Sequence, residues 1–293
     1  MRTAVVLLAA RPRRKRDPVN YLIGYHHVVQ SLRRHHASIP EVVVMSPDLD
    51  ETPAGADRLV RIDPRPFGVI RRTQSAFGRS VYFKLALFTL DYDRVIYLDT
   101  DLLIVGDIAE LWDPTRYADR DLWGVRESAA IGLKHAVWQG KINAGMLLIN
   151  RPLLGRPIFE RLLSIAAAGR SYDSGDQGVL HEFLSDPEIA PRVGELDPAF
   201  NLPTCARVDG DWDRYGPTAR ILHYLGPRKP WCDAPPHRWH HPETQAIWDR
   251  ETAAHPPVPL SLSEAGRPDL RTRLESGLLR AIRWPLSPFL DRG

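Results

Sequence analysis

Apolar residues change their spacing several times along the chain, and each change marks an element. Thr3–Ala10 is a continuous apolar run, the pattern of a central parallel strand covered on both faces. Tyr21–His35 places Leu22, Tyr25, Val28, Val29 and Leu32 at helical spacing, and Glu41–Met45 is a second short strand. Ser80–Leu90 reads as a helix with Ser80 as its N-cap, and Arg94–Leu98 follows as another buried strand. Strands alternating with helices in this way predict an α/β fold built on a parallel sheet. In open sheets of that class ligands gather beyond the carboxyl ends of the strands, and both Ala9-Ala10 and Asp99 lie at such ends. Farther on, Asp121–Val125 and Gly145–Ile149 read as strands, and Pro157–Ala168 and Gln177–Leu184 as helices.

The pattern breaks at His255, where Pro256, Pro257 and Pro259 form a linker. This divides the chain into one catalytic domain, 1–254, and a tail, 255–293. The tail holds a basic amphipathic stretch, Leu270–Phe289, which either lies on a membrane surface or packs on the domain. Met1–Ala10 has the look of a short signal peptide, but its basic cluster follows the apolar run where a signal's basic region precedes it. A buried first strand is the better reading. No stretch reaches the roughly 18 apolar residues that a membrane span needs.

Composition narrows the class. With 293 residues, 43% hydrophobic and 26% charged, the chain can bury a full core and has ordinary globular composition. A net charge of +3, with basic residues spread throughout, gives no reason to expect a nucleic-acid partner. Cys205 and Cys232 are the only cysteines, which excludes a disulfide framework and suits a reducing cytosol. The expected location is cytoplasmic, with the tail offering contact to the inner face of the membrane.

The chemistry gathers at two distant segments. Asp99-Thr100-Asp101 ends the strand Val95–Leu98 and sets two carboxylates side by side, a donor set suited to a hard divalent cation. Far downstream, His223-Tyr-Leu-Gly226-Pro-Arg-Lys229-Pro230-Trp231 offers an imidazole, a glycine that lets backbone approach a ligand closely, and a lysine. Together they would hold a cation against a diphosphate and neutralise the remaining charge. An imidazole in the set favours manganese, with magnesium as the alternative. Taken singly the pieces are weak: an Asp-x-Asp is often only an acidic strand end, and a lone histidine after Ile221-Leu222 is more often structural. Haloacid-dehalogenase-type phosphatases also carry two aspartates at a strand end. Leu103 here replaces their Thr or Val, and their pair lies near the start of the chain.

The Asp-Thr-Asp segment within Arg94–Asp113 resembles the metal-binding strand of glycosyltransferase family 8, which includes glycogenin, galactinol synthase and bacterial lipopolysaccharide glycosyltransferases. His223–Trp231 matches that family's His-x-x-Gly-x-x-Lys-Pro-Trp signature at every fixed position. Ile142–Gly145 resembles its Asn-Ser/Ala-Gly segment and Gly175–Gly178 its Gly-Asp-Gln motif. The similarity runs from about residue 3 to 250, in the family's order. The resemblance implies a nucleotide-sugar-binding, Rossmann-like mixed sheet flanked by helices, of the glycosyltransferase A type, in a single domain. It implies a retaining hexosyltransferase with a UDP-sugar donor and a hydroxyl acceptor that the motifs do not identify.

The resemblance also implies roles. Asp99, Asp101 and His223 would bind manganese, and Thr100, Gly226 and Lys229 would contact the donor. Lys84 would stand near the donor; Asn143, Asp173, Asp176 and Gln177 would line the sugar and the reacting centre. Tyr21 takes a place resembling the family's uracil-stacking tyrosine, with Arg11–Arg16 inserted before it. Asp176 is the candidate nucleophile of a double-displacement route, and Gln177 an orienting amide. Ser174 and Gln177 also read as a capping box. Arg11–Arg16 reads as a solvated loop, the other reading being a phosphate or anionic-membrane contact. His237, His240 and His241 lack the spacing of a known zinc site and read as a surface or acceptor-side loop. Two other classes stay open: phosphoryl chemistry at Asp99, and a nucleotide-sugar-binding protein without turnover.

Overall fold

A computed structural model describes residues 1–10, 21–70, 79–127, 140–205, 211–226, 229–231 and 241–255. Its frame is a seven-stranded sheet in the order β3-β2-β1-β4-β7-β6-β8. The strands are β1 (Thr3–Leu8), β2 (Glu41–Ser46), β3 (Arg58–Arg61), β4 (Arg94–Leu98), β6 (Leu122–Arg126), β7 (Ile142–Asn150) and β8 (Val193–Glu195). β3, β2, β1 and β4 run parallel, β7 is antiparallel to both β4 and β6, and β8 is parallel to β6. The sheet is therefore mixed and mostly parallel. A small second sheet, β5-β10-β9, joins β5 (Leu102–Ile104), β10 (Ile221–His223) and β9 (Leu202–Pro203).

The apolar runs have their physical reason in burial on both faces. Along β1, Ala4 and Val6 enter one core cluster while Val5 and Leu7 enter the other; along β4, Val95 and Tyr97 part from Ile96 and Leu98 in the same way. Helix α1 (Tyr21–His35) covers the second face with Leu22, Tyr25, Val28, Val29 and Leu32, as its spacing predicts. Helices α2 (Arg156–Ala167) and α3 (Asp176–Leu184) contribute Leu162, Ile165, Val179 and Phe183 to the first.

Two elements depart from the pattern reading. Residues Arg79–Thr89 form a 3₁₀ segment in which Ser80 lies inside, not at the N-cap. Val81, Tyr82, Phe83 and Phe88 are poor helix formers. Tertiary packing holds the segment, since Tyr82, Leu85, Leu87 and Phe88 are each no more than 2% exposed. The strand expected at Gly145–Ile149 begins three residues earlier, at Ile142. Ile142 and Ala144 face the same core cluster as Leu147 and Ile149, so the alternation changes phase around Gly145. The pairing of β7 with β6 shifts at the matching point, between Gly124 and Arg126. Such irregularities re-aim side chains. The Pro-rich linker and the tail beyond it lie outside the described residues, as does the Arg11–Arg16 cluster.

Candidate active site

β4 ends at Leu98, and the chain turns through Asp99, Thr100 and Asp101 into β5. The backbone N–H of Asp99 donates to the carbonyl of Gly145 at 2.8 Å, which ties the turn to β7. β10 runs antiparallel to β5 with His223 opposite Leu102, and the N–H of Tyr224 donates to the carbonyl of Asp101 at 2.9 Å. Pairing of the small sheet therefore delivers the imidazole to the carboxylates. His223 Nε2 lies 3.3 Å from Asp101 Oδ1. One ligand atom from each of Asp99, Asp101 and His223 can be chosen so that all lie within 4.8 Å of one another, the one such group among the described residues. Two carboxylate oxygens and an imidazole nitrogen are a donor set that could hold a divalent cation.

Two lysines face this acidic pair. Lys84 Nζ lies 3.1 Å from Asp99 Oδ1, 2.8 Å from Asp176 Oδ2 and 3.1 Å from the carbonyl of Ala144. Lys229 Nζ lies 2.5 Å from Asp101 Oδ2 and donates to the carbonyl of Tyr224 at 2.8 Å. Tyr97 donates its hydroxyl to Asp99. Three carboxylates against two ammonium groups leave a local excess of negative charge, which a cation would offset.

Burial separates the two aspartates. It raises the carboxyl of Asp99 above its ordinary range, with Asp101 adding to the effect and Lys84 opposing it. Burial works the same way on Asp101, but Lys229 and His223 outweigh it and hold that carboxyl well below the usual range. Burial opposes the charge of Lys84, and Asp176 and Asp99 overcome it, so the ammonium is held more firmly than usual.

The remaining candidates are distributed around this centre. Tyr21 is exposed, with its ring centroid 5.9 Å from Lys229 Nζ. Thr100 is buried against α1, and Gly24 there has no room for a side chain: a Cβ would lie 2.1 Å from the Thr100 carbonyl oxygen. Gly226 adopts φ +89°, a backbone that favours glycine. Asn143 is buried; its Nδ2 donates to Glu127 at 2.6 Å, and its Oδ1 accepts from the N–H of Gly145 at 2.8 Å. Gln177 accepts from the N–H of Ala144 at 3.0 Å and donates to Glu127 and to the Tyr172 hydroxyl.

These contacts replace the capping box. Gln177 turns toward the sheet and Glu127, and Ser174 sits at φ +56°. The start of α3 is held instead by Asp173, whose Oδ1 accepts from the N–H groups of Gly175 at 2.9 Å and Gly178 at 3.0 Å. His241 stacks on Trp212 with centroids 4.6 Å apart; His237 and His240 lie outside the described residues. Glu127 and Asn201 went unmarked by pattern. Glu127 stands just beyond the strand expected at Asp121–Val125, an acidic strand end like Asp99, whereas nothing around Asn201 distinguishes it from a loop residue.

The model of the family described as Glycosyl transferase family 8 matches residues 18–234. Glycogenin-1 of Caenorhabditis elegans is 26% identical over 142 residues, covering 48% of this chain and 29% of that protein. The lipopolysaccharide 1,3-galactosyltransferase of Salmonella typhimurium is 28% identical over 181 residues, covering 55% of this chain and 50% of that one. The chain thus spans at most half the length of either relative. Among solved structures, the galactosyltransferase LgtC in complex with donor and acceptor sugar analogs aligns with a TM-score of 0.61 at 21% identity, over 88% of this chain and 98% of that one. The architecture is the one expected, a mixed α/β sheet flanked by helices in a single domain, of the glycosyltransferase A type.

Proposed function

The chain belongs to glycosyl transferase family 8, and from that premise we propose that it is a retaining, metal-dependent enzyme moving a hexose from a UDP-sugar to a hydroxyl acceptor. The observation that carries this reading is the convergence of Asp99, Asp101 and His223, brought from two sheets to one point. When bound there, a divalent cation supplies Lewis-acid stabilisation of the charge that develops on the departing diphosphate.

The chain's own residues do the rest. Lys229 is a compact fixed cation in reach of the same diphosphate. Gly226 keeps the backbone close to it, and Tyr21 offers a ring to the nucleobase. Lys84 anchors Asp99 and Asp176 relative to each other, so the metal side and the sugar side of the site share one rigid post. Asn143 and Gln177, bonded to Glu127 and to the backbone of β7, shape the sugar side of the site.

A direct, same-face displacement fits better than two successive inversions. Asp176 is ion-paired with Lys84 at 2.8 Å, which weakens it as a nucleophile, and Gln177 is a fully engaged amide. Phosphoryl transfer through Asp99 fits poorly for a similar reason, because its carboxylate already holds Tyr97 and Lys84.

The test is a panel of UDP-sugars assayed for manganese-dependent hydrolysis and for thermal stabilisation. One or more should be cleaved only with metal present, and Asp99→Asn and Asp101→Asn should abolish cleavage in folded protein. Undiminished turnover by both variants in chelator would overturn the assignment.

A further inference from the structure

Beyond the three side chains assigned to the cation lies a chain of buried amides ending on His223. Glu127, Asn143, Asn201 and His223 are 7%, 5%, 1% and 3% exposed, so solvent has little access to rewire their bonds. Glu127 Oε1 accepts from Asn143 Nδ2 at 2.6 Å and from Gln177 Nε2 at 3.0 Å. Asn143 Oδ1 accepts from Asn201 Nδ2 at 2.8 Å, and Asn201 Oδ1 faces His223 Nδ1 at 2.9 Å.

We infer that Glu127, Asn143 and Asn201 are positioning residues whose orientations keep a hydrogen on His223 Nδ1, so that Nε2 is the ring nitrogen offered to a cation beside Asp101. The inference rests on the reading of His223 as a metal ligand, but its logic is internal to the chain. A backbone N–H only donates. Asn143, held between Glu127 and the N–H of Gly145, therefore has one satisfied orientation, with Nδ2 toward Glu127 and Oδ1 toward Gly145. Its Oδ1 then requires a donor from Asn201, which turns the carbonyl of Asn201 toward His223. A carbonyl accepts, so Nδ1 must carry hydrogen. Outer partners of this kind set the tautomer and basicity of a ligating imidazole, and their loss costs metal affinity about 10- to 100-fold.

The relay is anchored at a cost. Burial raises the carboxyl of Glu127 above its ordinary range, and the bonds from Gln177 and Asn143 oppose the rise.

The experiment is nitrogen NMR of histidine-labelled, metal-free protein at mildly alkaline pH, paired with manganese titration followed by electron paramagnetic resonance. The native chain should show the Nδ1–H tautomer at His223. Glu127→Gln keeps a carbonyl oxygen for Asn143 and should preserve both tautomer and affinity. Asn201→Leu and Glu127→Met should admit the Nε2–H form and weaken manganese binding about 10- to 100-fold. An Nε2–H tautomer in the native chain overturns the inference, and so does a folded Asn201→Leu that keeps both properties. If a variant fails to fold, the native tautomer alone decides. A native chain with the Nδ1–H form but no manganese binding would defeat the functional reading and leave the relay standing.

Discussion

Gly145 leaves no space for a side chain beside His223: a β-carbon there would lie 2.3 Å from the imidazole Cε1 and 2.8 Å from Nδ1. The ring thus rests against the backbone of β7, at the point where that strand is also tied to Asp99.

Gly145→Ala should therefore displace the imidazole from Asp101. Overpacking of this kind costs about 1–3 kcal/mol of stability. Manganese affinity should fall by about an order of magnitude or more, as for loss of ligand orientation. Urea unfolding and manganese titration on the same sample separate the two effects. Native affinity in the folded variant would show that the ring's position is immaterial to metal binding.

Lys84 is a buried cation shared by two carboxylates, so its removal strands both. Lys84→Met should lower stability by about 3–5 kcal/mol near neutral pH. Without the ammonium, the main opposition to the burial that raises the Asp99 carboxyl is gone, and that group binds a proton more readily in the folded state than in the unfolded one. The deficit should therefore shrink as pH falls. Denaturant midpoints at neutral and mildly acidic pH would reveal this, and a deficit independent of pH would argue for simple loss of packing.

His27, on α1, lies with its Nδ1 2.8 Å from Nδ1 of His255, which follows the helix Glu243–Thr252. Burial, then His255 and His26, lower its pKa from 6.5 to about 4. The charged and titratable groups around the pair are His26, Arg34 and Glu251. A base whose folded pKa is depressed stabilises fully above its unfolded value, and that stability is lost as pH falls from about 6.5 toward 4. His27→Gln should flatten this acid limb of the melting curve by roughly 1–2 kcal/mol, allowing for solvent screening. An unchanged limb would place the sensitivity elsewhere.

Asp173 separates a structural role from a chemical one. Its Oδ1 accepts from Ser171, Gly175 and Gly178 at the start of α3. Asp173→Asn retains that oxygen and should keep most of the turnover, whereas Asp173→Ala should lose about 1–2 kcal/mol of stability, as for other lost helix caps. A folded but inactive Asp173→Asn would instead place the carboxylate in the chemistry.

Much of this was legible in the residues themselves. The run Thr3–Ala10 and the spacing of Tyr21–His35 reflect burial on two faces and on one, and pattern reports burial directly. Asp99, Asp101 and His223 were legible because a fixed signature names them. The short strands Arg58–Arg61 and Leu102–Ile104 were not, because a few residues give no period to count. The 3₁₀ winding at Arg79–Thr89 and the turning of Gln177 toward Glu127 are decided by partners remote in sequence. Asn201 matters through the direction its amide faces, and composition carries no direction.

The phase change inside β7 also bears on how the chain finds this state. A strand with uniform alternation can slide by two residues and still bury an apolar face. β7 cannot, because any slip that suits Leu147 and Ile149 misplaces Ile142 and Ala144. The irregularity acts as a ratchet tooth: pairing in one register alone satisfies both halves, and that register is the one that assembles the acidic turn.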